Sequence, residues 1–108
     1  MARLARLSVP GVTQHVIQRG NNRQAIFFER EDYRLYLALL REFSAAFSCD
    51  IHAYVLMTNH VHLLVTPQQE NGLSQMMQFI GRRYVRHVND TYQRSGTLWE
   101  GRFRASML

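Results

Sequence analysis

The 108-residue chain is long enough for one hydrophobic core and too short for two domains. With 46% hydrophobic and 19% charged residues it has the composition of a folded protein rather than a disordered one, and no apolar run reaches the roughly 18 residues of a membrane span, so a cytoplasmic protein without a membrane partner is expected. A single cysteine, Cys49, excludes an internal disulfide and a thiolate zinc clamp, while thirteen basic residues, all arginine, against eight acidic ones give a formal +5 that points to polyanions.

In chain order, Met1 to Val9 carries Arg3 and Arg6 without the apolar region of a secretory signal. Val12 to Arg19 alternates and is rich in β-branched residues, between Pro10-Gly11 and Gly20-Asn21-Asn22, and reads as a first strand. From Glu31 to Phe47, Tyr33, Tyr36, Leu37, Leu40, Phe43 and Phe47 follow helical spacing. Asp50 to Met57 and His60 to Thr66 form a strand pair around Thr58-Asn59. Leu73, Met76, Met77, Ile80, Tyr84 and Val88 mark the apolar face of a second helix ending near Asn89, with Arg82, Arg83 and Arg86 elsewhere on the wheel. After a turn at Gln93 to Gly96, Thr97 to Leu108 reads as a last strand. The order β-α-β-β-α-β predicts an α+β, ferredoxin-like fold: a four-stranded antiparallel sheet with both helices on one face and the other face open.

The charge is polarised along the chain. Residues 1–28 hold four arginines and no acid, residues 29–78 hold three arginines against six acids, and residues 79–108 hold six arginines against two acids. If the basic ends meet in space they form the footprint of a nucleic-acid surface; the plainer reading is a charge that keeps the protein soluble.

His60-Val61-His62 is the chemically informative motif. On a strand the two histidines share a face, two rises of roughly 3.3 Å apart, and two imidazoles at that spacing can converge on one divalent ion. Val61, Leu63 and Val65 form the apolar stripe of the opposite face, which puts the histidines on the open side of the sheet. The same spacing also occurs in histidines that are only polar-face residues.

The segment Tyr54–Val65, YVLMTNHVHLLV, resembles the signature of the single-tyrosine HUH transposases, most closely the REP-associated tyrosine transposases of bacteria. His15–Asn22, Met77–Asn89 and Ser95–Phe103 resemble the family's first strand, arginine-rich helix and last strand, so the likeness covers nearly the whole chain in order. It implies that His60 and His62 bind Mg²⁺ or Mn²⁺, which polarises the scissile phosphate of single-stranded or hairpin DNA in transposition. It further implies that a tyrosine attacks the phosphorus, leaving a 5′-phosphotyrosine and a free 3′-OH. Thr58 stands where many relatives have proline, which affects only a turn.

In these relatives the nucleophilic tyrosine lies on a helix after the last strand, with a further metal ligand one turn along. The reading is therefore one HUH domain over residues 1–108, truncated before that helix, with its nucleophile beyond Leu108. The in-chain alternatives are Tyr84, on the apolar stripe of the second helix, and Tyr54, which a two- or four-residue turn would put opposite the histidines and a three-residue turn beside them. Tyr33 and Tyr36 lie on the first helix's core face, and Tyr92 near a turn is unassigned.

Candidate DNA contacts are Arg19, Arg82, Arg83, Arg86, Arg102, Arg104, His15 and Trp99. His15, on a central strand, either supports His62 or contacts DNA or is structural, and Trp99 either stacks on a base or packs in the core. Three function classes follow: a metal-dependent single-strand DNA endonuclease and strand transferase, a non-catalytic nucleic-acid-binding module, and a protein whose histidines bind metal only for stability. A homodimer is compatible with each.

Overall fold

The computed structural model describes residues 9–108; the basic residues Arg3 and Arg6 lie outside them. The elements are β1 (Gln14–Arg19), α1 (Arg30–Ala46), β2 (Cys49–Met57), β3 (His60–Pro67), α2 (Gly72–Tyr92) and β4 (Arg104–Met107), with one 3₁₀ turn at Asn21–Arg23. The strands order as β2-β3-β1-β4 and every pairing is antiparallel. This is the ferredoxin-like arrangement that the element order predicts.

The alternation in the strands decides what each face does. Val16, Val61, Leu63 and Val65 are each at most 1% exposed and share one core with Tyr36, Leu39, Leu40 and Phe43 of α1 and Met76, Ile80, Tyr84 and Val88 of α2. Both helices therefore cover the same sheet face, and each such side chain contributes about 1.5–3 kcal/mol on burial. His15, Ile17, His60, His62 and Leu64 occupy the other phase of β1 and β3 and stay only half-buried.

The ends of the elements are set by side chains. α1 starts at Arg30 because the Asp32 carboxylate turns back to accept the backbone N–H groups of Phe28 and Glu29, each at 2.9 Å. α2 runs past the expected Asn89 to Tyr92, whose hydroxyl donates to Asp32 at 2.6 Å, and the left-handed Gln93 then closes it. At the end of β1, Gly20 sits where an added Cβ would meet the Gln24 carbonyl oxygen at 2.3 Å, so the chain can fold back there only without a side chain.

Two strand expectations need correction. β1 begins at Gln14 rather than Val12. The last strand, expected over Thr97 to Leu108, is confined to Arg104–Met107. Its first half runs irregularly across the end of β1 with a single bridge between Gly20 and Trp99, since Gly96 (φ 88°) and Gly101 (φ 62°) interrupt the extended backbone. Turning at Gly101 lets both Trp99 and Phe103 enter the core.

Candidate metal centre and nucleic-acid surface

The cross-strand register brings the candidate residues together. Ile17 pairs with His62 and Arg19 with His60 across β1 and β3; on the far side of β1, Ile17 pairs with Arg104 and His15 with Ser106 of β4. Paired residues project to the same face of an antiparallel sheet, so His15, Arg19, His60, His62 and Arg104 share the open face.

Each histidine of the pair has one nitrogen engaged by the protein. His60 Nδ1 lies 2.7 Å from Asn59 Oδ1, an oxygen that can only accept, so in the neutral ring the proton sits on Nδ1 and Nε2 carries the lone pair. His62 Nδ1 lies 3.0 Å from His15 Nε2. With Nδ1–H of His62 as donor to His15, His62 Nε2 is likewise bare. The rings of His60 and His62 meet edge to face with centroids 4.7 Å apart, and those of His15 and His62 stack at 5.2 Å. Burial, then the neighbouring His60, His15 and Arg19, hold the His62 imidazole below its ordinary range and favour the neutral form a metal needs. The donor set thus fits a divalent ion as two ligands of a larger set. Among the described residues, no group of three or more His, Cys, Asp and Glu is arranged to hold a metal.

The five tyrosines all lie away from this pair. The two-residue turn pairs Tyr54 with Leu63, on the histidines' opposite face, where Tyr54 is half exposed at the sheet edge. Tyr84 is fully buried and donates to the Ile26 carbonyl; burial, then Asp32 and the surrounding tyrosines, push its hydroxyl far up. Tyr36 is also fully buried, Tyr33 stacks on Phe27, and Tyr92 is tied to Asp32.

The arginines divide by location. Arg19 and Arg104 flank the histidines and, with Arg102, Ile17 and Ser106, line a concavity of about 900 Å³ along β4, which also contains Glu100. Arg82 and Arg86 sit on α2, across the sheet, beside a second cavity that Arg102 also lines. Arg83 lies over the Phe43 ring, 5.8 Å from its centroid. Trp99 is only 8% exposed, its indole beside Tyr84 and Gly81, so of its two sequence readings the structure adopts core packing.

Three features escaped the sequence reading. Asn59 orients His60, a role its adjacency allowed. Asp32 gathers Phe28, Glu29, His87 and Tyr92 across 60 residues without a local signal. Gln18 is a polar residue in the inward phase of β1, and that break in alternation was visible in the sequence.

No curated protein matches the sequence. The fold is similar to that of a REP-associated tyrosine transposase solved bound to a REP hairpin, with a TM-score of 0.76 and 16% identity; the likeness covers 100% of this chain and 62% of that one. It is also similar to a chain named as a transposase from Deinococcus radiodurans R1, with a TM-score of 0.70 and 20% identity over 99% of this chain and 86% of that one. No helix among the described residues is long and apolar enough to cross a membrane. The sequence pattern of the family described as "Transposase IS200 like" matches residues 8–108, and the chain belongs to that family.

Proposed function

We propose that the chain binds single-stranded or hairpin DNA on its open sheet face and holds Mg²⁺ or Mn²⁺ through Nε2 of His60 and His62 beside the phosphate to be cleaved in transposition. The observation that carries this reading is the histidine pair with its Nδ1 atoms engaged by Asn59 and His15, flanked on the same face by Arg19 and Arg104. When bound, the ion supplies Lewis-acid polarisation of a phosphoryl oxygen. The chain's own residues do the rest of the binding. Asn59 and His15 orient the two imidazoles, and Arg19, Arg102 and Arg104 neutralise backbone phosphates along the β4 concavity.

The structure of the REP-associated transposase with its hairpin supports hairpin DNA as the substrate class. The chain spans less than two thirds of that relative, so strand cleavage and transfer are proposed for the family's whole protein. For these 108 residues a second reading, binding without covalent chemistry, is favoured by one observation: a nucleophile must be held within roughly 3–3.5 Å of the phosphorus, and none of the five tyrosines lies on the histidine face.

Calorimetric titration of Mn²⁺ into the protein and into His60→Ala tests the metal half; the variant loses binding while keeping its fold, and unchanged affinity overturns the assignment. Binding of a fluorescent DNA hairpin, alone and with the metal, tests the other half. Absence of binding at low salt refutes it.

A further inference from the structure

We infer that the cavity between α2 and the 98–103 segment, across the sheet from the histidines, receives an unpaired nucleobase, with a flanking phosphate held by the arginines at its mouth. The inference rests on the DNA-binding reading above and gives that DNA a second point of attachment.

The cavity measures about 710 Å³. Its walls are apolar, formed by Met77, Val85, Trp99 and Phe103, and Gly81 keeps one side of α2 low; a Cβ there would lie 3.5 Å from the Trp99 indole nitrogen. Gln18 lines it from β1. This side chain is 7% exposed and its Oε1 has no hydrogen-bond partner. A buried acceptor left unmet is unfavourable, and a ligand N–H would satisfy it. At the mouth stand Arg82, Arg86 and Arg102, all exposed and none in a salt bridge among the described residues.

These three features select one class of ligand. A purely apolar guest leaves Gln18 unmet, and a bare anion makes no use of the walls. A nucleobase offers flat apolar faces, an edge N–H for Gln18 Oε1 and a phosphate for the arginines. In a duplex that N–H is already engaged, so the base must be unpaired, and loop or bulge positions pay least to leave the stack. Arg102 lines both this cavity and the β4 concavity. The two sites adjoin there, so one strand can follow the arginines from one to the other. The same chemistry is offered by a free nucleotide.

The test is a proton–nitrogen NMR titration of the intact chain, reading the Trp99 indole N–H and the Gln18 side-chain amide, with each of the four deoxynucleoside monophosphates and, as control, deoxyribose 5-phosphate. At least one nucleotide moves both resonances and the sugar phosphate moves neither. Nucleotides that leave both unmoved, or a sugar phosphate that moves them equally, overturn the inference. Gln18→Met, which keeps the volume and removes the acceptor, weakens the response, read from the Trp99 indole N–H alone, about tenfold, the equivalent of one good hydrogen bond in affinity. It also raises the melting temperature by removing the unmet oxygen. Val85→Trp fills the cavity and abolishes the response, and keeps the test open if Gln18→Met misfolds; full nucleotide response in either folded variant refutes the pocket. A hairpin with one bulged base that saturates the resonances at least tenfold below the free nucleotide identifies DNA as the source, and the reverse order identifies the nucleotide. The titration does not require hairpin binding at the histidine face, so failure of that reading and failure of this one are distinguishable.

Discussion

His15 Nε2 lies 3.0 Å from His62 Nδ1, across the β1–β3 pairing, with the two rings stacked. A histidine ligand whose far nitrogen is held in this way has its ring plane set before the ion arrives. Losing such a support typically costs 10–100-fold in metal affinity. His15→Ala therefore weakens Mn²⁺ binding about tenfold or more, measured by calorimetry, with the melting temperature little changed. Wild-type affinity in the variant would show that the contact does not position His62.

The acid side of the pH profile follows from the same cluster. Burial, followed by the charges of His60, His15 and Arg19, keeps His62 below its ordinary pKa of 6.5. Below that pH the unfolded chain takes up the proton before the folded one does, so the unfolded state binds more protons and the stability from this group, full above 6.5, declines as pH falls. The His62 ring resonance should titrate with a midpoint under 6.5. A midpoint above that value contradicts the environment described.

Asp32 is 1% exposed and tied to four donors: the backbone N–H groups of Phe28 and Glu29, the Tyr92 hydroxyl and His87 Nε2 at 2.7 Å. Burial pushes its carboxyl up, but the hydrogen bonds from Tyr92, His87, Glu29 and Phe28 outweigh it and hold the pKa below 3.8, while the Tyr92 hydroxyl is pushed up to about 12 by burial and by Asp32. Its contribution is present above the unfolded carboxylate's pKa and is lost as pH falls through the lower folded value. Asp32→Ala, which orphans these donors, is expected to destabilise by about 3 kcal/mol or more in urea unfolding. Arg34→Ala, which removes the exposed Arg34–Glu31 pair, costs about 0.5 kcal/mol or less.

Affinity for hairpin DNA should fall steeply with salt, because each phosphate neutralised releases counterions. Replacing both Arg19 and Arg104 by alanine removes two contacts on the histidine face, and the log–log slope should shrink by about two. Reversing Arg82 and Arg86 to glutamate probes the opposite side of the sheet separately. An unchanged slope in both variants removes the arginines from the DNA surface.

The 108-residue chain should form no covalent adduct with hairpin DNA, as read by denaturing gel electrophoresis. Tyr54→Phe, at an exposed edge, leaves stability unchanged within about 0.5 kcal/mol, whereas Tyr84→Phe loses its buried bond to the Ile26 carbonyl and costs about 1–2 kcal/mol. A trapped adduct that disappears in either variant would relocate the nucleophile into this chain.

The order of elements and the shared face of His60 and His62 were determined by the sequence itself, because a period of 2 in Val61, Leu63 and Val65 and a helical period in Tyr36, Leu40 and Phe43 depend only on local geometry and on which side chains water rejects. The family signature around Tyr54–Val65 was legible for the same reason: its residues are contiguous. Tertiary structure alone decided that Trp99 belongs to the core, since two glycine turns break the expected strand and aim it inward. Only the register of β1 with β3 and β4 decided that the His15 side chain meets His62 and that Arg104 joins Arg19. It was likewise the packing of α2 behind the sheet that separated Arg82 and Arg86 from the histidines. Charge counted along the chain carries no record of faces, and a contact such as Asp32 with Tyr92 exists only after both helices have packed, because hydrogen bonds between residues 60 apart in sequence leave no periodic trace in either segment.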